Sequence, residues 1–237
     1  MNGNTERRKR EAAYYAVQFV ESGMAIGLGA GNTAAFAVQR IAQLLREGQL
    51  TDVRGVPCSI QVEHEAQGLG FPLTTLEEHP LLDLTIDGAD EVDPHLNLIK
   101  GGGGALLREK IVAQASRREI IVVDESKLSP ALGTHWPVPV EVTSFGWRSQ
   151  IPFLESLGAR VVLRHEVDGR PFTTDQGNLV LDCHFGPIPD LRRLAAELGQ
   201  RAGVIEHGLF LGLATDVVVA GDQGIRHLKR GETDDRH

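Results

Sequence analysis

The chain has 237 residues, 41% of them hydrophobic and 24% charged, with a formal net charge of −8 and a pI near 5.6. That length buries a substantial core, as one large domain or two smaller ones, and an acidic surface without a basic stripe excludes nucleic acid as a partner. No stretch approaches a membrane span, the N-terminal MNGNTERRKREAAYY lacks the apolar core of a targeting signal, and Cys58 and Cys183 are too few and too isolated for a disulfide framework or a thiolate metal site, so a soluble cytoplasmic protein with two reduced thiols is expected.

Arg8 to Ser22 spaces Ala12, Ala16 and Phe19 as an amphipathic helix does, and Gly23 stops it. A strand is expected at Met24–Leu28, then the turn Gly29-Ala30-Gly31-Asn32-Thr33, then a helix with Ala35, Val38, Ala42 and Leu45 on one face. Strand, glycine turn and helix make a candidate anion cradle. Asn32 stands where the dinucleotide pattern G-x-G-x-x-G beginning at Gly27 needs its third glycine, and the Gly-Lys-Ser/Thr of a P-loop is absent. A small phosphate ester, held by backbone amides and the Thr33 hydroxyl, suits the turn better than a nucleotide; the alternative is a glycine turn that only lets helix approach strand.

Val53–Cys58 and Leu73–Leu76 read as strands with a helix, Gln61–Gly68, between them. Leu81–Ile86 is an apolar run of the kind buried on both faces, and it stops at Asp87-Gly88-Ala89-Asp90, so acids sit at a strand's carboxyl end. After a turn at Asp93-Pro94 come Lys100, four glycines that no regular element accepts in its interior, and a helix from Ala105. Glu119–Val123 is the next strand, ending in Asp124-Glu125-Ser126-Lys127. The alternation implies a parallel, doubly wound α/β sheet. In the order 3-2-1-4-5, counted from Met24, the first, fourth and fifth strands are neighbours, and the turns at their carboxyl ends share one crevice.

From about Gly133 the pattern changes. Val138–Val142 (strand), Phe145–Leu157 (helix), Ala159–Arg164 (strand), Phe172–Phe185 (hairpin turning at Asp175–Asn178), Asp190–Leu198 (helix) and Gly203–Phe210 (strand) give the order β-α-β-β-α-β of a ferredoxin-like unit. The expected organisation is a Rossmann-like domain of residues 1–132 and 208–237 and a smaller ferredoxin-like α+β domain of residues 133–207. Ala214–Ala220 would return to the first sheet, and Arg226–His237 would be a polar, mobile tail.

The segment from Leu81 to Val112, LLDLTIDGADEVDPHLNLIKGGGGALLREKIV, closely resembles the signature of the ribose-5-phosphate isomerase type A family: DGADE, a turn, IKGGGGAL and REKI. The resemblance continues in the same order at Gly27–Thr33, Asp124–Lys127 and Pro137–Val142, and spans the chain apart from its polar tails. It implies interconversion of ribose 5-phosphate and ribulose 5-phosphate through an enediol, in the non-oxidative branch of the pentose phosphate pathway, with no metal and no cofactor. A small sugar phosphate is the implied partner, and a homodimer or dimer of dimers the implied assembly. By the resemblance the proton-transferring base falls on Glu109. Lys100, with the amides of Gly101, Gly102 and Gly103 and with Asp90, would stabilise the enediolate oxygen, and Asp87 would serve ring opening and hold a sugar hydroxyl. Phosphate would be gripped by Gly31, Asn32 and Thr33 together with Lys127, with Ala30, Gly88 and Ala89 in the same substrate-binding turns; Lys9 is a weaker phosphate candidate. The loop departs from the family's GTGST by reading GAGNT, which removes a threonine hydroxyl at Ala30 and puts Asn32 in place of serine. Amides and carboxamide still donate, so phosphate binding is expected to persist.

Read from the residues alone, Glu109 lies about 200° round its helix from Leu107 at roughly 100° per residue, opposite an expected packed row of Leu107, Ile111 and Ala115. An acid there is otherwise an ordinary solvated one, and a working base needs its pKa raised towards neutrality. Asp87 and Asp90 are alternatively turn residues capping amides. Asp87, Asp90, Glu91 and Asp93 offer the oxygens a hard cation takes, but Lys100 already supplies positive charge, so no metal is expected. His64, His79, His95 and His184 are scattered without ligand spacing. Two rival readings are another enzyme on this scaffold, a sugar-phosphate deaminase or a coenzyme A transferase, and a sugar-phosphate sensor, which has no need of a base at Glu109.

Overall fold

Four apolar runs fix the first sheet, because AIGL, LTID, EIIVVD and DVVVAG are buried at every position but one and only a strand covered on both faces accommodates that. The computed structural model describes residues 3–231. In chain order its first elements are α1 (Gly3–Val17), β1 (Ala25–Leu28), α2 (Gly31–Arg46), β2 (Arg54–Pro57), α3 (Ile60–Gly68), β3 (Leu84–Asp87), β4 (Glu91–Val92), β5 (Leu98–Ile99), α4 (Leu106–Gln114) and β6 (Glu119–Asp124). There follow β7 (Val138–Val142), α5 (Gln150–Ser156), β8 (Arg160–Leu163), β9 (Leu179–His184), α6 (Leu191–Gly199), β10 (Val204–His207), β11 (Leu209–Phe210), β12 (Asp216–Gly221) and β13 (Gly224–Lys229).

By compactness the chain forms two units. Among the described residues, one takes 3–89, Arg108–Leu128 and 212–231; the other takes Asp90–Leu107 and Ser129–Leu211. These limits differ from those read in the sequence chiefly at Asp90–Leu107, which belongs with the second unit because β5 pairs with both β4 and β11.

The first unit is a six-stranded sheet in the order β13-β12-β6-β3-β1-β2, parallel except for β13. Four of the five expected strands stand in the expected order, 2-1-4-5, and two more extend the sheet beyond the fifth. Leu73–Leu76, expected as a strand, shrinks to a single parallel bridge from Leu73 to Gly55. Thr74 turns the chain away, its hydroxyl engaging Glu78 at 2.7 Å and His79 Nδ1 at 2.9 Å. The tail expected from Arg226 is also different: β13 forms a full antiparallel edge strand, its turn made by Gly224 at φ +93° and its Ile225 packed on the core. The rest of the expected tail, from residue 232, lies outside the described residues. On α2 the buried face is Ala34, Ala37, Val38, Ile41 and Ala42, turned slightly from the expected row. Ala12, Ala13 and Ala16, all fully buried, present the small side chains of α1 to the same core.

The second unit carries the four-stranded antiparallel sheet β10-β7-β9-β8, with α5 between β7 and β8 and α6 between β9 and β10, which is the ferredoxin-like arrangement. Val138, Val140 and Val142 share a core with Leu154, Leu194 and Leu198 of the two helices. The expected hairpin's first arm reduces to a Thr173–Leu179 bridge, because β9 pairs along its length with β7 and β8 instead. A second, three-stranded sheet, β11-β5-β4, has strands of two residues each and was not expected. Its turn holds Leu96 at φ +57°, a conformation unfavourable for leucine that complete burial of the side chain offsets. No helix among the described residues is long and apolar enough to cross a membrane.

Candidate active site

In the first unit β2, β1, β3 and β6 lie side by side and parallel, so their carboxyl ends and the turns that follow form one edge. Asp87, the last residue of β3, is buried there, and its Oδ1 accepts from the N–H groups of Ala30 (2.9 Å) and Gly88 (2.7 Å). Gly29 has to be glycine, since a Cβ on it would lie 2.4 Å from both Cα and Oδ1 of Asp87. Half-buried Gly88 and Ala89 continue the chain.

Glu109 is only 5% exposed, on a row of α4 with Leu106, Lys110, Val112 and Ala113, while Ile111 is 45% exposed. The expected packed row of Leu107, Ile111 and Ala115 is therefore the outer one. Val112 packs in the core of the first sheet, and Glu109 is turned inward on the same side of the helix, where Leu106 and Ala113 are buried as well. Cys58, expected to be an isolated thiol, follows β2 directly, donates its N–H to the carbonyl of Leu28 at 3.0 Å and is fully buried. One donor atom each of Cys58, Asp87 and Glu109 all lie within 4.8 Å of one another, the group among the described residues whose atoms are close enough to share a cation.

The elements expected to bind an anion share this unit. Helix α2 starts at Gly31, at φ +87°, behind Ala30, which has no side chain to cap it; Gly31 and Asn32 are exposed and Thr33 half-buried, leaving first-turn amides for a ligand. Lys127 closes a single 3-10 turn, Glu125–Lys127, begun by Asp124, whose Oδ1 accepts from the Ser126 N–H at 3.0 Å. Arg8 of α1 braces this turn through Glu125 (2.8 Å) and also reaches Asp222 beyond β12.

In the second unit, Lys100 leaves β5 with its N–H on the Gly208 carbonyl (2.9 Å) and its ammonium 5.6 Å from the centre of the Phe210 ring; it is 2% exposed. Asp90 accepts from the Gly102 N–H at 2.7 Å, and a Cβ on Gly102 would sit 2.7 Å from the same carboxylate. The neighbouring acids are committed to amides as well. Glu91 accepts from Gly133, His135 and Trp136 (2.9, 3.1 and 3.3 Å), and Asp93 from His95 and Asn97 (2.9 and 2.8 Å), so the acidic stretch shapes loops. Cys183 lies in the core of this unit, where burial pushes its pKa up and keeps it a thiol.

The family model for ribose 5-phosphate isomerase A (phosphoriboisomerase A) matches residues 54–224. A ribose-5-phosphate isomerase A from Chloroflexus aurantiacus is 60% identical over 225 residues, 95% of this chain and 94% of that protein. The chain belongs to the ribose 5-phosphate isomerase A family. Solved structures agree. A D-ribose-5-phosphate isomerase in complex with phospho-erythronic acid superposes with a TM-score of 0.94 at 39% identity, covering 97% of this chain and all of the other. The ribose 5-phosphate isomerase of Plasmodium falciparum gives 0.92 at 41% identity over 95% and 99% of the two chains.

Within this member of the family, the DGADE and IKGGGG signatures thus do structural duty at the level of single amides: Asp87 ties the Gly29 turn to β3, and Asp90 ties down the glycine loop. Two residues at these loops and strand ends carry no sequence motif. Cys58 could have been found from its place at the end of a parallel strand next to β1. Arg164 donates from Nη1 to the carbonyls of Gly101 (2.8 Å) and Gly102 (3.1 Å), more than sixty residues away in the chain, and nothing local marks it.

Proposed function

We propose that the chain interconverts D-ribose 5-phosphate and D-ribulose 5-phosphate through an enediol, with Glu109 moving the proton between C1 and C2. The observation that carries this reading is the burial of Glu109 beside Asp87 at the carboxyl edge of the first sheet, in a chain of this family. A carboxylate turned inward among sheet ends has left the solvated surface where acids near helix starts usually sit, and an enediol reaction needs such a base. Asp87 serves ring opening and a sugar hydroxyl. Lys100 and the amides of Gly101, Gly102 and Gly103 stabilise the enediolate oxygen, with Asp90 fixing the loop that presents them. The turn Ala30-Gly31-Asn32-Thr33 and Lys127 hold phosphate, with Gly88 and Ala89 lining the sugar.

The reaction as proposed needs no metal or other cofactor, since a lysine and backbone dipoles supply the positive charge. The proposal includes a cytoplasmic location, a homodimer or dimer of dimers, and no nucleic-acid partner, in keeping with the net charge of −8. The test is conversion of ribose 5-phosphate in excess EDTA by the parent and by Glu109→Gln. A loss of at least about a hundredfold in the variant is expected for a general base. A fully active variant removes the assignment of Glu109, and an inactive parent that still binds the phosphate ester favours a sensor.

A further inference from the structure

Arg164 follows β8, and its guanidinium is engaged on three sides. Nε and Nη2 grip Asp182 of β9, with Nε to Oδ2 at 3.0 Å, and Nη1 donates to the carbonyls of Gly101 and Gly102 at 2.8 and 3.1 Å. The fourth contact is aromatic: the guanidinium lies 5.7 Å from the centre of the Phe172 ring, and Phe172 fills the place a Cβ on Gly104 would need, 2.3 Å away. Arg164 and Asp182 are 13% and 19% exposed, so the pair is held within the unit. A planar fork can bind a carboxylate and two carbonyls at once, which an ammonium cannot.

Peptide planarity fixes what this does to the other face of the loop. In a trans peptide the N–H points away from the carbonyl of the preceding residue, and the described chain has no cis peptide. With the carbonyls of Gly101 and Gly102 drawn to Arg164, the N–H groups of Gly102 and Gly103 face the opposite way. Asp90 takes the first, at 2.7 Å. The second is left directed outward from a loop whose Gly103 is exposed. A cation on the two carbonyls also polarises those peptides and strengthens their N–H groups as donors.

We propose that Arg164 is the positioning residue of this loop: by holding the carbonyls of Gly101 and Gly102 it aims the Gly103 N–H at the oxygen that becomes anionic in the enediolate. The inference rests on the isomerase reading above and adds to it a residue that touches no reacting atom. Its energetic signature is specific. Interactions made only as charge develops act on kcat, whereas the phosphate grip acts on binding throughout.

The experiment compares the parent with Arg164→Lys and with the neutral pair Arg164→Gln/Asp182→Asn, which leaves no unpaired charge behind. Four quantities are measured: kcat and KM for ribose 5-phosphate, and inhibition constants for phospho-erythronic acid, whose carboxylate stands for the enediolate, and for inorganic phosphate. In the neutral pair kcat is expected to fall about 10- to 100-fold, the scale for a misplaced catalytic contact, and phospho-erythronic acid to weaken by a similar factor. KM and inhibition by phosphate should stay within about twofold, since uniform binding is untouched. Arg164→Lys keeps the ion pair with Asp182, and so the fold, and should show the same split to a smaller degree. Unchanged kcat and unchanged affinity for phospho-erythronic acid in both variants would overturn the proposal, as would equal weakening of both inhibitors, the mark of a merely structural residue. An inactive parent would instead remove the isomerase reading itself.

Discussion

Asp216 opens β12 at the amino edge of the first sheet, opposite the candidate active site, and is 4% exposed. Burial alone would push its carboxyl up; hydrogen bonds from Arg118, Thr215 and His227 outweigh that and hold it at about 2, against an ordinary 3.8. The contacts are short, with Arg118 Nε and Nη2 at 2.8 and 2.7 Å, Thr215 Oγ1 at 2.6 Å and His227 Nε2 at 2.6 Å. Arg118 is raised in turn by the same pairing. A fall from 3.8 to about 2, at about 1.4 kcal/mol per unit, is worth about 2 kcal/mol of folding stability. Water reaches Arg118, which is 31% exposed, so about 1–2 kcal/mol is the expected cost of Asp216→Asn near neutral pH. Because the folded-state pKa is the lower one, the unfolded chain takes up the proton first. The advantage of the parent over Asp216→Asn is therefore complete above about pH 5 and drains away as pH falls through 4 towards 2. Urea unfolding of both proteins at pH 7, 5, 4 and 3, at constant ionic strength, measures that gap directly, and contributions of other carboxylates cancel in the difference. A gap that stays constant from pH 7 to pH 3, or a variant more stable than the parent at pH 7, would refute the reasoning.

Two further substitutions probe the site. Gly29→Ala would drive a Cβ to within 2.4 Å of the Asp87 backbone, which cannot rotate aside; kcat/KM for ribose 5-phosphate is expected to drop at least about tenfold through displacement of Asp87, and steady-state kinetics at parent-like stability would contradict this if the drop is absent. Lys127→Ala removes the proposed phosphate cation, so KM should rise about tenfold with kcat within a few-fold, a charged hydrogen bond being worth about 1.5–3 kcal/mol; an unchanged KM and unchanged inhibition by inorganic phosphate would remove Lys127 from the anchor.

The order of the parallel strands was legible because EIIVVD and DVVVAG leave no polar face, so they can be only central strands, and because acids and glycines mark where LTID and AIGL end. The ferredoxin-like unit was legible from the order of its elements. What escaped was of three kinds. Strands of two residues, Glu91–Val92 and Leu98–Ile99, are shorter than any period that could announce them. The buried face of α4 was not legible because Leu107 and Ile111 look like a packed row, while the buried residues mix Leu106 and Val112 with Glu109 and Lys110; a helix period gives the spacing of faces, and not which one is buried. Long-range polar contacts escaped entirely. Glu91 to Gly133 spans 42 residues and Arg164 to Gly102 spans 62, and each is set by strand pairing that no local pattern encodes.

The departure of the proposed phosphate turn from GTGST to GAGNT is accommodated by how that turn is held. The Ala30 N–H is already spent on Asp87 at 2.9 Å, so position 30 contributes shape through its backbone and loses no amide when its hydroxyl is gone. Ala30 sits in extended backbone, φ −98° and ψ 163°, which alanine adopts as readily as threonine does. The left-handed requirement falls one residue later, on Gly31 at φ +87°, and there glycine is kept. Asn32 replaces a hydroxyl by a carboxamide on an exposed first-turn position of α2, where its side chain is free to donate outward. Backbone amides at a helix start bind an anion by geometry rather than by side-chain identity, and so the substitutions fall on the two positions of the turn where the fold demands least of the side chain.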